Sequence, residues 1–168
     1  MLHTRMALFR WVCFSVLLLM SVILQTMVFP RLSGVPNPMV SVAASVSAAV
    51  FSGVPGGAAA GFACGLLCDA LTPGVEAYFT LTTMAAGALT GFLCGKYLQR
   101  TFWSALLLSA ASLCVIGAGY ALFFQVAAGR APWGAIVAVG LPEILGGVLC
   151  VPLVYPAFRG VAGIFVGE

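Results

Sequence analysis

Charged residues are scarce in this chain. Of 168 residues only 7% are charged, seven Lys or Arg and four Asp or Glu, while 62% are hydrophobic. Soluble domains carry about 25% charged residues, so this chain has too few to cover a surface that faces water. The composition excludes a soluble domain and predicts an integral membrane protein. The length allows about six spans of roughly 20 residues in one transmembrane helical domain over residues 1–168.

The groups that usually carry catalysis are also scarce. His3 is the only histidine, and we expect it in a cytoplasmic tail. The sequence has no CxxC pair, Ser/His/Asp set, zinc-protease motif or phosphate-binding loop. We therefore predict no catalytic, cofactor-binding or metal-binding residue, and no enzymatic activity. The six cysteines lie in apolar runs, which favours a packing role over a redox or metal role.

Glycine, by contrast, is abundant, with 20 residues, and part of it forms two ladders of four-residue steps. In water each glycine would weaken a helix by about 1 kcal/mol relative to alanine. In lipid, small residues four apart let two helix backbones approach closely. We predict two adjacent antiparallel spans and assign a helix-packing or partner-binding role to Gly57, Gly61, Gly65, Gly87, Gly91 and Gly95.

The apolar runs and breakers predict about six helices. The first begins near Arg5, is too long for a cleaved signal peptide, and ends at Pro30. A breaker cluster at 52–57 divides the next region into two short helices, which form either a tight hairpin or a pair that enters the membrane partly. The predicted ranges of these two and of the three later helices are 39–51, 57–71, 77–97, 102–127 and 134–158. Pro142, Pro152 and Pro156 predict a bend in the last one.

The basic residues predict the orientation. With six spans and a cytoplasmic N-terminus, five basic residues face the cytoplasm and only Arg31 and Arg130 face outward, as the positive-inside rule requires. The five are Arg5, Arg10, Lys96, Arg100 and Arg159. Five spans would move the last three outward, so the charges favour six spans with both termini inside.

Two carboxylates stand out as buried or interfacial polar residues. Asp69 lies one four-residue step beyond Gly65, about 40° around the helix, and so faces the bundle. It either marks the outer interface and caps the following turn, or makes a structural or partner contact there. Glu143 follows Pro142, which predicts a first helical turn where the dipole favours a negative charge. A cavity-facing carboxylate near Asp69 is the alternative.

One stretch resembles a known family. The phrase Gly61-Phe62-x-x-Gly65-Leu66-Leu67-x-Asp69 is followed by a loop with Pro73-Gly74 and by a glycine-bearing span that ends in a basic turn. Over about forty residues this resembles the bacterial rod shape-determining MreD family; the rest agrees in hydropathy and in the proline-rich last span.

The resemblance implies a non-enzymatic subunit of the cell-elongation machinery in the bacterial inner membrane. It implies MreC as partner, and MreB, RodA and a penicillin-binding transpeptidase as further members of the complex. It also implies a fold similar to the substrate-binding subunits of energy-coupling-factor transporters.

Two functions follow as hypotheses, with a lipid-handling protein as a weaker third. In the first, the chain is a membrane scaffold whose small-residue helix faces dock the membrane span of MreC. In the second, it is the substrate-binding subunit of a vitamin transporter. The second requires an outward-facing polar cavity around Asp69 and Glu143. The other polar residues available for it are Gln25, Thr80, Thr82, Thr83 and Gln125.

Overall fold

The computed structural model describes residues 2–28, 39–71, 77–122 and 133–166. These residues are helical apart from short connections. The elements are α1 (Leu2–Ile23), which continues into a π-helical turn (Leu24–Val28), α2 (Val40–Leu71), α3 (Tyr78–Lys96), α4 (Phe102–Tyr120) and α5 (Trp133–Val166).

Among the described residues, four stretches are long and apolar enough to cross a membrane: Phe9–Met27, Val40–Leu71, Phe102–Tyr120 and Gly140–Gly163. Large apolar side chains stand exposed along the helices, for example a stripe of leucines four residues apart on α5, from Leu141 to Leu153. Such a surface suits lipid and not water. The protein is therefore an all-α membrane protein, as the composition predicted.

The chain reverses direction inside α2. Gly53 has φ 73° and ψ −168°, a left-handed φ that glycine adopts without a Cβ clash. Ser41 Oγ lies 3.2 Å from Cys68 Sγ, whereas 27 residues of continuous helix would separate the two residues by about 40 Å. We call residues 40–52 the first segment of α2 and residues 54–71 the second segment. They form an antiparallel helical hairpin, so the hairpin interpretation of the breaker cluster is confirmed.

The first segment of α2 lies at the centre of the bundle. Every residue from Val40 to Val50 is buried. Ala44 and Ala48 pack against Phe14 of α1 and Phe158 of α5. The segment consists almost entirely of Val, Ala and Ser, which let the surrounding helices approach closely. It therefore contacts protein on all sides and not lipid.

Side-chain contacts define two ends of the bundle. At the first, Trp11 lies beside Gly56, and Tyr155 Oη donates a hydrogen bond to the Arg100 carbonyl (3.2 Å). At the second, the Ser41 N–H donates to Gln25 Oε1 (2.9 Å). We call the first the basic end, because four basic residues whose positions are described lie on or beside it: Arg10, Lys96, Arg100 and Arg159. The second, which carries Asp69, is the Asp69 end.

Most of the predicted helix boundaries agree with the structure, and the predicted end of the last helix does not. The helices predicted at 77–97 and from 102 are found as α3 and α4. The last helix begins at Trp133 as expected but continues to Val166, beyond the predicted end at 158, and contains all three prolines. Residues 29–38, 72–76 and 123–132 lie outside the described part of the chain, and with them Pro30, Arg31, Gln125 and Arg130.

The position of Glu143 differs from the prediction. It lies ten residues after the start of α5 and not in its first turn, because Pro142 sits inside the helix and does not begin it. A proline removes one backbone hydrogen bond, and membrane helices tolerate this loss when neighbouring groups satisfy the freed carbonyl. The positive end of the α5 dipole is therefore too far away to stabilise the Glu143 carboxylate.

Candidate functional site

Among the described helices, the second segment of α2 and α3 make an especially close contact. A Cβ added at Gly57 would approach the backbone of Gly87, and one added at Gly61 would approach the backbone of Thr83, both within 3 Å. Gly91 meets the backbone of Gly53 in the same way. As the residue number in α2 increases, the number of the residue that it contacts in α3 decreases by the same amount. The two helices are therefore antiparallel and lie backbone to backbone.

The glycines differ in what surrounds them. Gly65 continues the contact toward the Asp69 end, where an added Cβ would meet Thr80 and Phe79. A Cβ at Gly95 would meet nothing within 4 Å. The contact thus ends at Gly91 and excludes Gly95, because α2 reverses at Gly53 and leaves no helix opposite the next step of the ladder.

A hydrogen bond between side chain and backbone joins the same two helices. Thr83 Oγ1 lies 2.7 Å from the Gly61 carbonyl, in a buried position, and 2.5 Å from the Phe79 carbonyl of its own helix, so its one proton is shared between the two acceptors. The bond forms because the glycine leaves its carbonyl accessible to a side chain on the neighbouring helix. Such bonds between membrane helices contribute about 0.6 kcal/mol on average. From the sequence, Thr83 is only one of the polar residues available for a cavity, because nothing in the local pattern pairs it with a residue 22 positions earlier.

Asp69 caps α3 from the neighbouring helix. Ala77, at the start of α3, has φ 60° and supplies no side-chain cap. The Asp69 carboxylate instead accepts hydrogen bonds from the N–H groups of Phe79 (3.0 Å) and Thr80 (2.8 Å) and from Thr80 Oγ1 (2.5 Å). These N–H groups have no partner within their own helix, and the negative charge lies at the positive end of the α3 dipole. Asp69 therefore makes a structural polar contact.

Three aromatic rings cover the same end of α3 and join it to α4. Phe79 stacks on Tyr120 with 5.7 Å between ring centroids and 27° between planes. Tyr78 Oη donates a hydrogen bond to the Ile116 carbonyl over 2.8 Å. Its hydroxyl occupies the space that a side chain at Gly119 would need. At this end, the start of α3 is thus held by α2 on one side and by α4 on the other.

The polar residues considered for a ligand cavity bind to the chain itself. Gln25 accepts from the Ser41 N–H, Thr82 donates to the Tyr78 carbonyl (2.7 Å), and Thr80 and Thr83 make the bonds described above. Gln125 lies outside the described residues. Glu143 is half-buried, and no hydrogen bond or ion pair joins it to Asp69 or to another residue in the described ranges. The described polar groups therefore do not converge on a common cavity.

The cysteines are free thiols in different environments. Cys64 and Cys68 are buried on one face of the second segment of α2, and Cys114 is exposed. In the ranges that the structure covers, no three His, Cys, Asp or Glu side chains lie close enough together to hold a metal ion. Cys68 contacts the hydroxyl of Ser41, which joins the two segments of the hairpin.

Comparison with known proteins leaves the chain without an assigned family. No protein-family model matches it, no curated protein matches it, and no solved structure matches it. The resemblance stated above therefore rests on the residues between Gly57 and Tyr97. Within that stretch, Gly61, Gly65 and Asp69 are among the residues that join α2 to α3.

Proposed function

We propose that this chain is a non-enzymatic subunit of the bacterial cell-elongation complex, with six membrane crossings and both termini in the cytoplasm. Its partner is the single-span protein MreC, and MreB, RodA and a penicillin-binding transpeptidase belong to the same complex. The membrane is the bacterial inner membrane. The proposal begins from the resemblance of the segment from Gly61 to Asp69 to the MreD family.

The separation of charges along the bundle supports the proposed orientation. The described basic residues lie toward one end and Asp69 lies toward the other, so the positive-inside rule assigns the basic end to the cytoplasm. Counting the two segments of α2 separately gives six crossings. The first segment is about 20 Å long, shorter than the hydrocarbon core of about 30 Å. A short crossing of this kind is tolerated because protein surrounds it.

One observation carries the choice of a scaffold over a transporter subunit. Most of the described polar groups available for a vitamin cavity form hydrogen bonds between helices. The exceptions are Thr82, which bonds within α3, and Glu143, which has no hydrogen bond in the described ranges. Gln25 joins α1 to α2, and Asp69 and Thr83 join α2 to α3. A binding subunit would keep such groups directed at its ligand. A chain that uses them for its own packing is suited to presenting fixed outer surfaces.

The way in which the scaffold would dock MreC differs from the sequence-based hypothesis. Five of the six ladder glycines are covered by the chain's own helices, so a partner cannot contact them. Their role in docking is indirect: they hold α2 and α3 at a short distance and so fix the relative positions of the outer helix faces. The membrane span of MreC then binds to an outer face.

The test combines recovery of the partner with cell shape. The tagged chain is purified from native membranes of the bacterium that encodes it, and MreC is measured in the eluate. In parallel, a strain depleted of the chain is complemented with the wild type, with Gly61→Leu, or with the matched control Gly95→Leu. We expect co-purification of MreC, loss of rod shape on depletion, and rescue by the wild type and the control only.

Three outcomes would contradict the proposal. MreC is absent from the eluate although the tagged chain is recovered intact, or depleted cells keep their rod shape. In the third, mass spectrometry of the purified protein finds one vitamin molecule per chain, which would instead support the transporter hypothesis.

A further inference from the structure

An apolar groove separates α3 from α4 along the outer surface of the bundle. Its volume is about 300 Å³, and it is open along one side. It is lined by Thr82, Ala85, Leu89 and Leu93 of α3 and by Ala111 and Val115 of α4. The groove therefore runs parallel to the helices, in the direction that a lipid acyl chain takes in the membrane.

A positive charge lies at one end of this groove. The lining residues of α3 recur at steps of three and four, and Lys96 follows Leu89 by seven residues, which puts it on the same face of the helix and about 10 Å closer to the basic end. Lys96 is exposed, and its Nζ lies 5.9 Å from the ring centroid of Phe92 and 5.6 Å from that of Tyr97. The two rings hold the ammonium group beside the last turn of α3, at the basic end of the bundle.

The surroundings of Lys96 also suit an anionic headgroup. Arg100 is exposed in the turn that joins α3 to α4. Trp103 follows at the start of α4 with 71% of its surface exposed, as is typical of a residue at the membrane interface. Gly95 has open space where a side chain would stand. Basic pockets between membrane helices on the cytoplasmic side are recurrent sites for anionic lipid headgroups.

The lining and the charge of the groove together favour a lipid over a helix. The lining residues are almost all apolar, and two exposed cations, Lys96 and Arg100, follow the groove at the basic end. An anionic phospholipid matches both features, whereas an apolar membrane helix offers those cations no negative charge. A second copy of this chain would bring another basic end against Lys96, and the two would repel.

We propose that the groove between α3 and α4 binds one anionic phospholipid, with one acyl chain between Ala85 and Ala111 and the phosphate at Lys96 and Arg100. The acyl chain fills the space in which α3 and α4 do not contact each other. The positive charge of Lys96 gives the site its preference for a negatively charged headgroup. This site is independent of the docking of MreC, since it needs only the described residues of α3 and α4.

The experiment measures lipid binding to the purified full-length chain by native mass spectrometry. Delipidated protein is titrated with phosphatidylglycerol or with phosphatidylcholine carrying the same acyl chains, so that only the headgroup charge differs. We expect tighter binding of phosphatidylglycerol. Lys96→Gln lowers that preference about fivefold, the effect of one basic residue near a membrane surface. Ala111→Phe fills the groove and weakens binding of both lipids.

Two matched controls test the location of the site. Arg10→Gln removes a cation from the same end of the bundle but on α1, which makes no contact with α3 or α4 in the described structure. Ala63→Leu adds bulk at an exposed position on α2 outside the groove. Both should bind phosphatidylglycerol as the wild type does. Equal affinity for the two lipids, an equal loss in Arg10→Gln and Lys96→Gln, or a protein dimer that excludes lipid would each overturn the proposal.

Discussion

Replacing Gly61 with alanine adds one methyl group at the closest point between α2 and α3. The new Cβ would lie 2.7 Å from the Thr83 carbonyl carbon and 2.9 Å from the Met84 Cα. Real Cβ atoms do not approach other heavy atoms this closely, and both neighbours belong to a helix backbone that cannot rotate away. The two helices must therefore separate along their common contact.

The magnitude follows from three contributions. Overpacking a well-packed contact costs about 1–3 kcal/mol. Separation lengthens the 2.7 Å hydrogen bond from Thr83 to the Gly61 carbonyl, which costs about 0.6 kcal/mol more. Alanine offsets about 1 kcal/mol of this through its higher helix propensity. The free energy of unfolding should therefore fall by roughly 0.6–2.6 kcal/mol.

Gly95→Ala is the matched control. It makes the same chemical change on α3, but its Cβ meets nothing within 4 Å, so only the propensity gain remains. Both variants are purified in the same mild detergent, and the Tm is measured by the loss of monodisperse protein after heating. We expect Gly61→Ala to melt below the wild type and Gly95→Ala to melt at or above it. If Gly61→Ala is as stable as Gly95→Ala, the backbone contact does not hold the pair together.

Two further predictions concern the ends of the same helices. Asp69→Ala removes the cap of α3 and should lower the free energy of unfolding by about 1–2 kcal/mol. Hydrogen exchange at the amides of Phe79 and Thr80 should become faster, and unchanged exchange at these amides would contradict the capping role. Gly53→Ala has open space for its Cβ but forces an L-residue into a positive φ with an extended ψ, a region that glycine alone occupies readily. We therefore expect a loss of about 1–3 kcal/mol, and a Tm equal to that of the wild type would argue against the reversal at this residue.

The local sequence patterns predicted the positions of the helices better than the contacts between them. The breaker cluster at 52–57 located the break in α2 because glycine and proline act on their own backbone, whatever surrounds them. The choice between a hairpin and a partly inserted pair needed the contact between Ser41 and Cys68, which lie 27 residues apart. The periodicity of the ladders predicted close contact of α2 and α3, but not that it stops before Gly95.

The two carboxylates also show that a local sequence pattern does not determine which groups another helix brings into contact. The helical geometry put Asp69 on the inner face, and its role depended on which backbone groups another helix brought within reach. For Glu143 the sequence suggested a first turn, because proline is common there. The structure instead continues α5 through Pro142, and no local signal distinguishes a proline that begins a membrane helix from one inside it.

Composition alone determined that this chain belongs in a membrane, because 7% charged residues cannot cover a surface in water. The spacing of its glycines determined which faces of α2 and α3 could approach closely. Only the tertiary structure decided what those faces meet: Gly57, Gly61 and Gly65 contact the chain's own α3, and Asp69 caps α3. The physical reason is that backbone contact and capping join groups distant in sequence, whereas composition and periodicity are properties of one segment at a time.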